Sequence, residues 1–301
     1  EARREQHPNT GAMGQACGVR TADVGVTIAQ LADGCDPGET HNEPITDEEP
    51  DYDQGIGATR VVISANDYKD SGQTPLTCTQ DASSMQDLLQ ACGIGDVTVL
   101  LDNENTTSNI RGAVRSVAGR CRPGDTFVFY YSGHGSQVKD ESGDEKDGMD
   151  EAFCFVEPSG RITRRSFMAD DEFRELILDS TDEDTNILII CDCCHSGTIA
   201  DFNSSEWIGR RAVSMSGCAD SQTSKDVGGG VFTHCLLYAV ADLQAQGLRG
   251  YTVATLYNRV LQMKSTHFRR IQDQDIALQW APHFKPKKMQ FPLEPSAPYQ
   301  H

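Results

Sequence analysis

From residue 60 to residue 191, short apolar runs alternate with amphipathic stretches. Arg60–Ala65, Val97–Leu101, Thr126–Ser132 and Asn186–Cys191 are runs of the length and β-branched or aromatic content expected of strands. Between them, Asp81–Cys92 sets Met85, Leu88 and Leu89 on one helical face, and Ser108–Cys121 and Phe173–Leu178 also read as helices. The rhythm predicts an α/β fold with a mostly parallel central sheet and helices on both faces. Further on, Ala212–Ser216 is a predicted strand, and Val231–Gln246 and Thr252–Met263 are predicted helices. The segment from Pro282, with Pro286, Pro292, Pro295 and Pro298, reads as loop. Residues 1–58 lack periodicity. Their second half is crowded with Asp and Glu, holds three prolines, and has no Lys or Arg between Thr21 and Ala58, which predicts an extended or disordered arm.

The bulk composition fits an enzyme better than a nucleic-acid binder. Net charge is 26 − 45 = −19, opposite in sign to what phosphate backbones attract. No run of 18 apolar residues exists to cross a membrane. Eleven cysteines lie without the regular spacing of a disulfide scaffold, so a reducing, cytoplasmic setting is expected, with most thiols packing as small hydrophobes. The chain is expected to act as a monomer. Cys191, Cys193, Cys194 and His195 lie close together, but no second Cys-x-x-Cys or His-x₃-His pair completes a zinc site.

Two predicted strands end in reactive groups. Thr126–Tyr131 leads into Ser132-Gly133-His134-Gly135, and Asn186–Cys191 leads into Asp192-Cys193-Cys194-His195-Ser196-Gly197. In an open α/β sheet the carboxyl ends of the strands form the binding crevice, and a Cys and a His brought together there make a nucleophile–base dyad. Among the thiols, Cys191 belongs to the buried strand and Cys193 alternates away from Cys194, which leads into a glycine-containing turn. Cys17 and Cys92 nearly fit a Gln-Ala-Cys-x-Gly pattern, yet Val19 and Ile94 stand where the last glycine is needed. His234, among Phe232, Leu236 and Leu237, reads as structural.

Ser-Gly-His-Gly, Asp-Cys-Cys-His-Ser-Gly, and Ser216-Gly217-Cys218-Ala219-Asp220-Ser221-Gln222-Thr223-Ser224, in that order over residues 59–280, resemble a metacaspase of type I arrangement, a caspase-fold cysteine peptidase of clan CD. The resemblance implies a large-subunit-like region at 59–211, a small-subunit-like region at 212–285 and a Pro-rich tail at 286–301. It implies His134 as base, Cys194 as nucleophile, and the N–H groups of Gly135 and Cys194 as the oxyanion hole. It implies cleavage after Arg or Lys, with Cys78, Asp81, Ser132 and Asp192 in the substrate pocket. It further implies calcium (Ca2+) bound through Asp150, Asp170, Asp171 and Asp201, and a zymogen that cleaves itself. Such cleavage would follow a basic loop residue, Arg249 first and the Arg210-Arg211 pair second.

Calcium also has support in the residues, since it takes hard oxygen ligands and Asp140–Glu151 is dense in carboxylates. The spacing is not an EF-hand: Glu145 stands at the sixth position, where glycine is required. The rival readings are an inactive caspase-fold scaffold and another clan CD peptidase of legumain type.

Overall fold

The computed structural model describes residues 40–45, 57–140, 143, 148–194, 196–218, 229–271 and 274–301. The runs with no polar interruption take the centre of the sheet. Strands β1 (Thr59–Ala65), β3 (Thr126–Ser132) and β7 (Asn186–Asp192) pair in parallel, and every residue of β3 is buried. Burial without alternation requires both faces to be covered. With β2 (Val97–Leu101), β8 (Arg211–Ser216) and β9 (Ala277–Trp280), the six-stranded order is β2-β1-β3-β7-β8-β9. Half-buried β2 forms one edge, β8 continues the parallel set, and β9 closes the other edge antiparallel. The register sets Ser132 opposite Asp192, so the two predicted site motifs leave the same edge of the sheet side by side.

Among the described residues five α-helices pack around the sheet: α1 (Cys78–Cys92), α2 (Thr107–Ala118), α3 (Asp170–Ser180), α4 (Val231–Ala245) and α5 (Val253–His267). Helix α1 packs on α4 and α4 on α5, while α2 packs on α3. Local caps start two of them: the Thr106 and Thr252 side chains accept from Asn109 N–H and Thr255 N–H. Helix α1 begins three residues before its apolar periodicity does. Its first turn is capped from a distance by Asp67, whose carboxylate accepts from the Thr79 N–H at 2.8 Å and its hydroxyl at 2.7 Å. Helix α3 is longer than the predicted Phe173–Leu178, because Asp170, Asp171 and Glu172 occupy its first turn, where carboxylates suit the helix dipole.

A second sheet was not expected: β4 (Gly135–Lys139), β5 (Met149–Cys154) and β6 (Phe167–Ala169) form an antiparallel sheet. Its strands are short, and Asp150 and Glu151 interrupt β5, so no period-2 signal survives. Strand β9, only four residues long, was missed for the same reason.

Within the segment 1–58, read as an extended or disordered arm, residues 40–45 dock on the sheet. His41 exchanges backbone hydrogen bonds with Leu278 at 3.0 and 2.8 Å, and its ring stacks on Trp280 with centroids 4.4 Å apart. Residues 1–39 and 46–56 lie outside the described residues. The C-terminal segment is irregular as predicted, but it is packed: Met289, Phe291 and Leu293 are buried. Among the described residues, no helix is long and apolar enough to cross a membrane.

Candidate active site

The backbone on both sides of His134 is pinned by buried phenols. Its N–H donates to the Tyr68 hydroxyl at 2.8 Å, and its carbonyl accepts from the Tyr131 hydroxyl at 2.8 Å and the Cys154 N–H at 3.1 Å. The imidazole lies on the Tyr68 ring, with centroids 4.4 Å apart. Burial pushes both phenol pKa values well above the ordinary range, so both hydroxyls stay protonated. Burial also lowers the His134 pKa, which favours the neutral imidazole. Tyr68 holds φ at 60°, a conformation rare for a bulky residue. Sequence reasoning missed it, because Asn66-Asp67-Tyr68-Lys69 reads as an ordinary turn after β1.

Cys194 sits beyond β7, which ends at Asp192, so strand alternation does not extend to the thiol as expected. The turn is fixed instead by its neighbours: the Cys193 carbonyl accepts from the Ser196 hydroxyl at 2.8 Å and the Cys218 thiol at 2.9 Å. Cys191 and Cys193 are fully buried while Cys194 is half-buried, and burial raises the Cys193 pKa far above the ordinary thiol value. The nine described cysteines are all thiols. His195 lies outside the described residues.

Gly135 joins the two arms. A Cβ there would lie 1.7 Å from the Cys194 carbonyl oxygen, so the residue after His134 packs directly on the backbone of Cys194. Only glycine permits this approach.

The predicted pocket residues also come together. Asp81 in the first turn of α1 and Asp192 at the end of β7 are each 3% exposed. Asp81 accepts from the Ser132 hydroxyl at 2.7 Å and the Gly230 N–H at 3.0 Å. Asp192 accepts from the Thr233 N–H at 2.8 Å and its hydroxyl at 2.9 Å. A Cβ at Gly230 would lie 2.0 Å from Asp192 Oδ2, and one at Gly217 would lie 2.8 Å from Asp192 Oδ1. Cys78 opens α1 and is buried. His234, read from sequence as merely structural, stands close to this pocket: a Cβ on Gly229 would meet both its Nε2 (2.6 Å) and Asp81 Oδ1 (2.9 Å).

The acidic cluster predicted to bind calcium touches the segments that follow His134 and Cys194, through the bonds of Gln137 and Thr198 to Glu151. Asp150, Glu151, Asp170 and Asp201 are buried and Asp171 is half-buried. Burial, together with the charges of Glu151, Asp201 and Asp150, raises the Asp170 pKa to about 8. The donors are the hard carboxylate oxygens that calcium takes, so the chemistry fits. The arrangement differs from a cage: among the described residues no three or more such side chains are grouped to hold an ion. Arg174 instead forms ion pairs with Asp171, Asp201 and Glu206. Residues 141–142 and 144–147 of the acidic loop lie outside the described residues.

Of the cleavage candidates, Arg249 is exposed in the loop between α4 and α5. Arg210 bonds the Thr181 carbonyl, and Arg211 opens β8 with its Nε donating to Asn186 and its guanidinium over the Phe284 ring.

A strand-end Cys and His bound through a glycine contact, beside a buried acidic pocket, define a caspase-like α/β architecture. Residues 60–203 match the family described as metacaspase, peptidase C14 domain. The chain is 30% identical over 251 residues to Metacaspase-1 of Arabidopsis thaliana, covering 71% of this chain and 65% of that protein. It is 29% identical over 176 residues to Metacaspase-1 of Saccharomyces cerevisiae, covering 55% of this chain and 40% of that one. A crystal structure of a Geobacter sulfurreducens protein superposes with a TM-score of 0.57 at 25% identity, covering 78% of this chain and 97% of that one. The chain carries, at residues 60–203, a domain of the metacaspase peptidase type. It spans less than two thirds of the length of these curated relatives.

Proposed function

We propose that this chain is a calcium-dependent cysteine endopeptidase that cleaves after Arg or Lys, with Cys194 as nucleophile and His134 as general base. The contact of Gly135 with the Cys194 carbonyl carries the reading, because it joins the histidine arm to the cysteine turn at the carboxyl edge of the sheet. An ordinary thiol near pKa 8.5 is only a few per cent thiolate at neutral pH, so it needs a neighbouring base. His134 takes the Cys194 proton as sulfur attacks the scissile carbonyl carbon. The oxyanion accepts from the Gly135 and Cys194 N–H groups. His134 then returns the proton to the departing amine, leaving a thioester. Water, deprotonated by His134, attacks the thioester and releases the acid, and the thiol regains its proton.

Asp81 and Asp192 give the pocket its charge, and a P1 guanidinium or ammonium would neutralise desolvated carboxylates there. Both also have a structural use, since they accept N–H groups at the start of α4. Asp192→Asn keeps an acceptor for Thr233 while removing the charge, which makes it the informative variant. Calcium would be held by Asp150, Asp170, Asp171 and Asp201, and would supply positive charge that lets these carboxylates approach one another. Self-cleavage is assigned to Arg249 ahead of the anchored Arg210-Arg211 pair.

Matched peptides with Arg, Lys, Asp or Asn at P1, assayed with the full chain in calcium and in chelator, test the reading. Cleavage of the Arg and Lys peptides in calcium alone is expected. Loss of one member of a desolvated charge pair costs about 2–5 kcal/mol, so Asp192→Asn should lower kcat/KM on Arg peptides by roughly thirty-fold or more. Preference for Asp would overturn the pocket, Asn cleavage would point to legumain chemistry, and no cleavage of any peptide would favour a scaffold.

A further inference from the structure

The acidic cluster reaches both catalytic arms through short covalent paths. Asp150 and Glu151 lie on β5, which pairs with β4, the strand that follows His134. Asp201 closes the turn that begins at Cys194 and holds φ at 44° there. Glu151 accepts from the Thr198 hydroxyl at 2.8 Å and from the Gln137 side chain at 3.1 Å, tying the two arms together. Into this cluster α3 sends a cation of its own. Arg174 is 9% exposed; its Nη1 serves Asp171 and Asp201 together, and its Nε lies 2.8 Å from Glu206 Oε2. Asp171 and Asp201 are two of the four carboxylates assigned to calcium.

We propose that Arg174 is a tethered counter-ion that competes with calcium for Asp171 and Asp201, so that metal enters only as the guanidinium is released and Arg174 sets the calcium concentration at which the site fills. The inference rests on the calcium reading above. A guanidinium spans two carboxylates with a rigid fork of donors and carries a fixed charge, so it neutralises the pair without closing a coordination shell. Apparent affinity for a ligand falls by the fraction of molecules in the competent arrangement. If the Arg174-bound arrangement holds more than about nine-tenths of the molecules, calcium binds about ten-fold more weakly than the bare carboxylates allow.

Calorimetric titration of Ca2+ into full-length Cys194→Ala protein, with and without Arg174→Met, tests this apart from turnover. The double variant should bind calcium about ten-fold tighter or more, with Arg174→Lys in between. Equal or weaker binding in Arg174→Met, with the fold intact by circular dichroism, would overturn the proposal and leave the calcium reading standing. Absence of calcium binding in every variant would remove the calcium reading itself. A measurement on unaltered Arg174 guards against a misfolded variant: the Nη–H resonances of Arg174, whose Nη1 bonds Asp171 and Asp201, should lose their protection from solvent exchange in labelled Cys194→Ala protein as calcium saturates. If those protons stay protected while calcium binds, Arg174 is not displaced and the proposal fails.

Discussion

A methyl group added at Gly135 would strike the Cys194 carbonyl oxygen, and relief requires moving one arm of the site. Displacement of reacting groups by about 1 Å costs on the order of a hundred-fold in rate. Gly135→Ala is therefore expected to keep its secondary structure while losing at least about a hundred-fold in kcat/KM on an Arg peptide; an unchanged rate would separate the glycine contact from catalysis. At the thiols, Cys194→Ala should abolish turnover and Cys193→Ala should leave much of it, since Cys193 is buried with its pKa driven upward. The reverse pattern would reassign the nucleophile. His134 carries a sign in pH. Its pKa is lowered by burial, so the neutral form, the one proposed to act as base, persists below the ordinary value of about 6.5. Activity should hold as pH falls to about 6.5 and then decline as pH passes through the lower folded value. Its contribution to stability is full above the unfolded pKa and is lost as pH falls through the folded one, because the unfolded chain binds the proton first. A kcat/KM profile whose acid limb lies above 6.5 would contradict the burial argument.

At the scale of elements, α3 links the acidic cluster to the core. Phe173 on α3 is fully buried, with its ring 4.9 Å from those of both Phe129 on β3 and Phe153 on β5. Truncating a buried phenylalanine costs about 3–5 kcal/mol, and Phe173→Ala should lower the denaturation midpoint accordingly. A loss under about 1 kcal/mol would mean the two sheets are not coupled through this ring. The α4–α5 loop carries the exposed Arg249 beside Leu248, which is 42% exposed. Mass spectrometry of active protein against Cys194→Ala should find a cut after Arg249 and none after Arg210, whose guanidinium is bonded to Thr181. Cleavage after Arg210 alone would reverse that order.

Over the whole molecule, the charge of −19 favours approach of basic peptides. Screening shortens the Debye length from about 30 Å at 0.01 M salt to about 3 Å at 1 M. The kcat/KM for an Arg peptide with basic flanks should fall across that range more than for one with neutral flanks. Equal salt dependence would confine the charge effect to the pocket.

Five of the six strands of the central sheet, and the motifs at its edge, are legible in the chain's own pattern. Apolar runs such as Thr126–Ser132 and Asn186–Cys191 are read as buried strands whatever surrounds them, and both lead into the site motifs. Helix periodicity located the five helices of the described residues, with ends displaced where distant residues intervene, as where Asp67 caps α1. The β4–β5–β6 sheet and strand β9 emerge only on folding, because short strands with polar residues take their stability from partners rather than from their own pattern. The same holds for Tyr68, which supports His134 from a turn with no local signal, and for His41, whose docking on Trp280 no acidic-arm composition reveals. Arg174 belongs here too. Its charge is visible in the chain, but its three carboxylate partners lie 3, 27 and 32 residues away, and only folding brings them to one guanidinium.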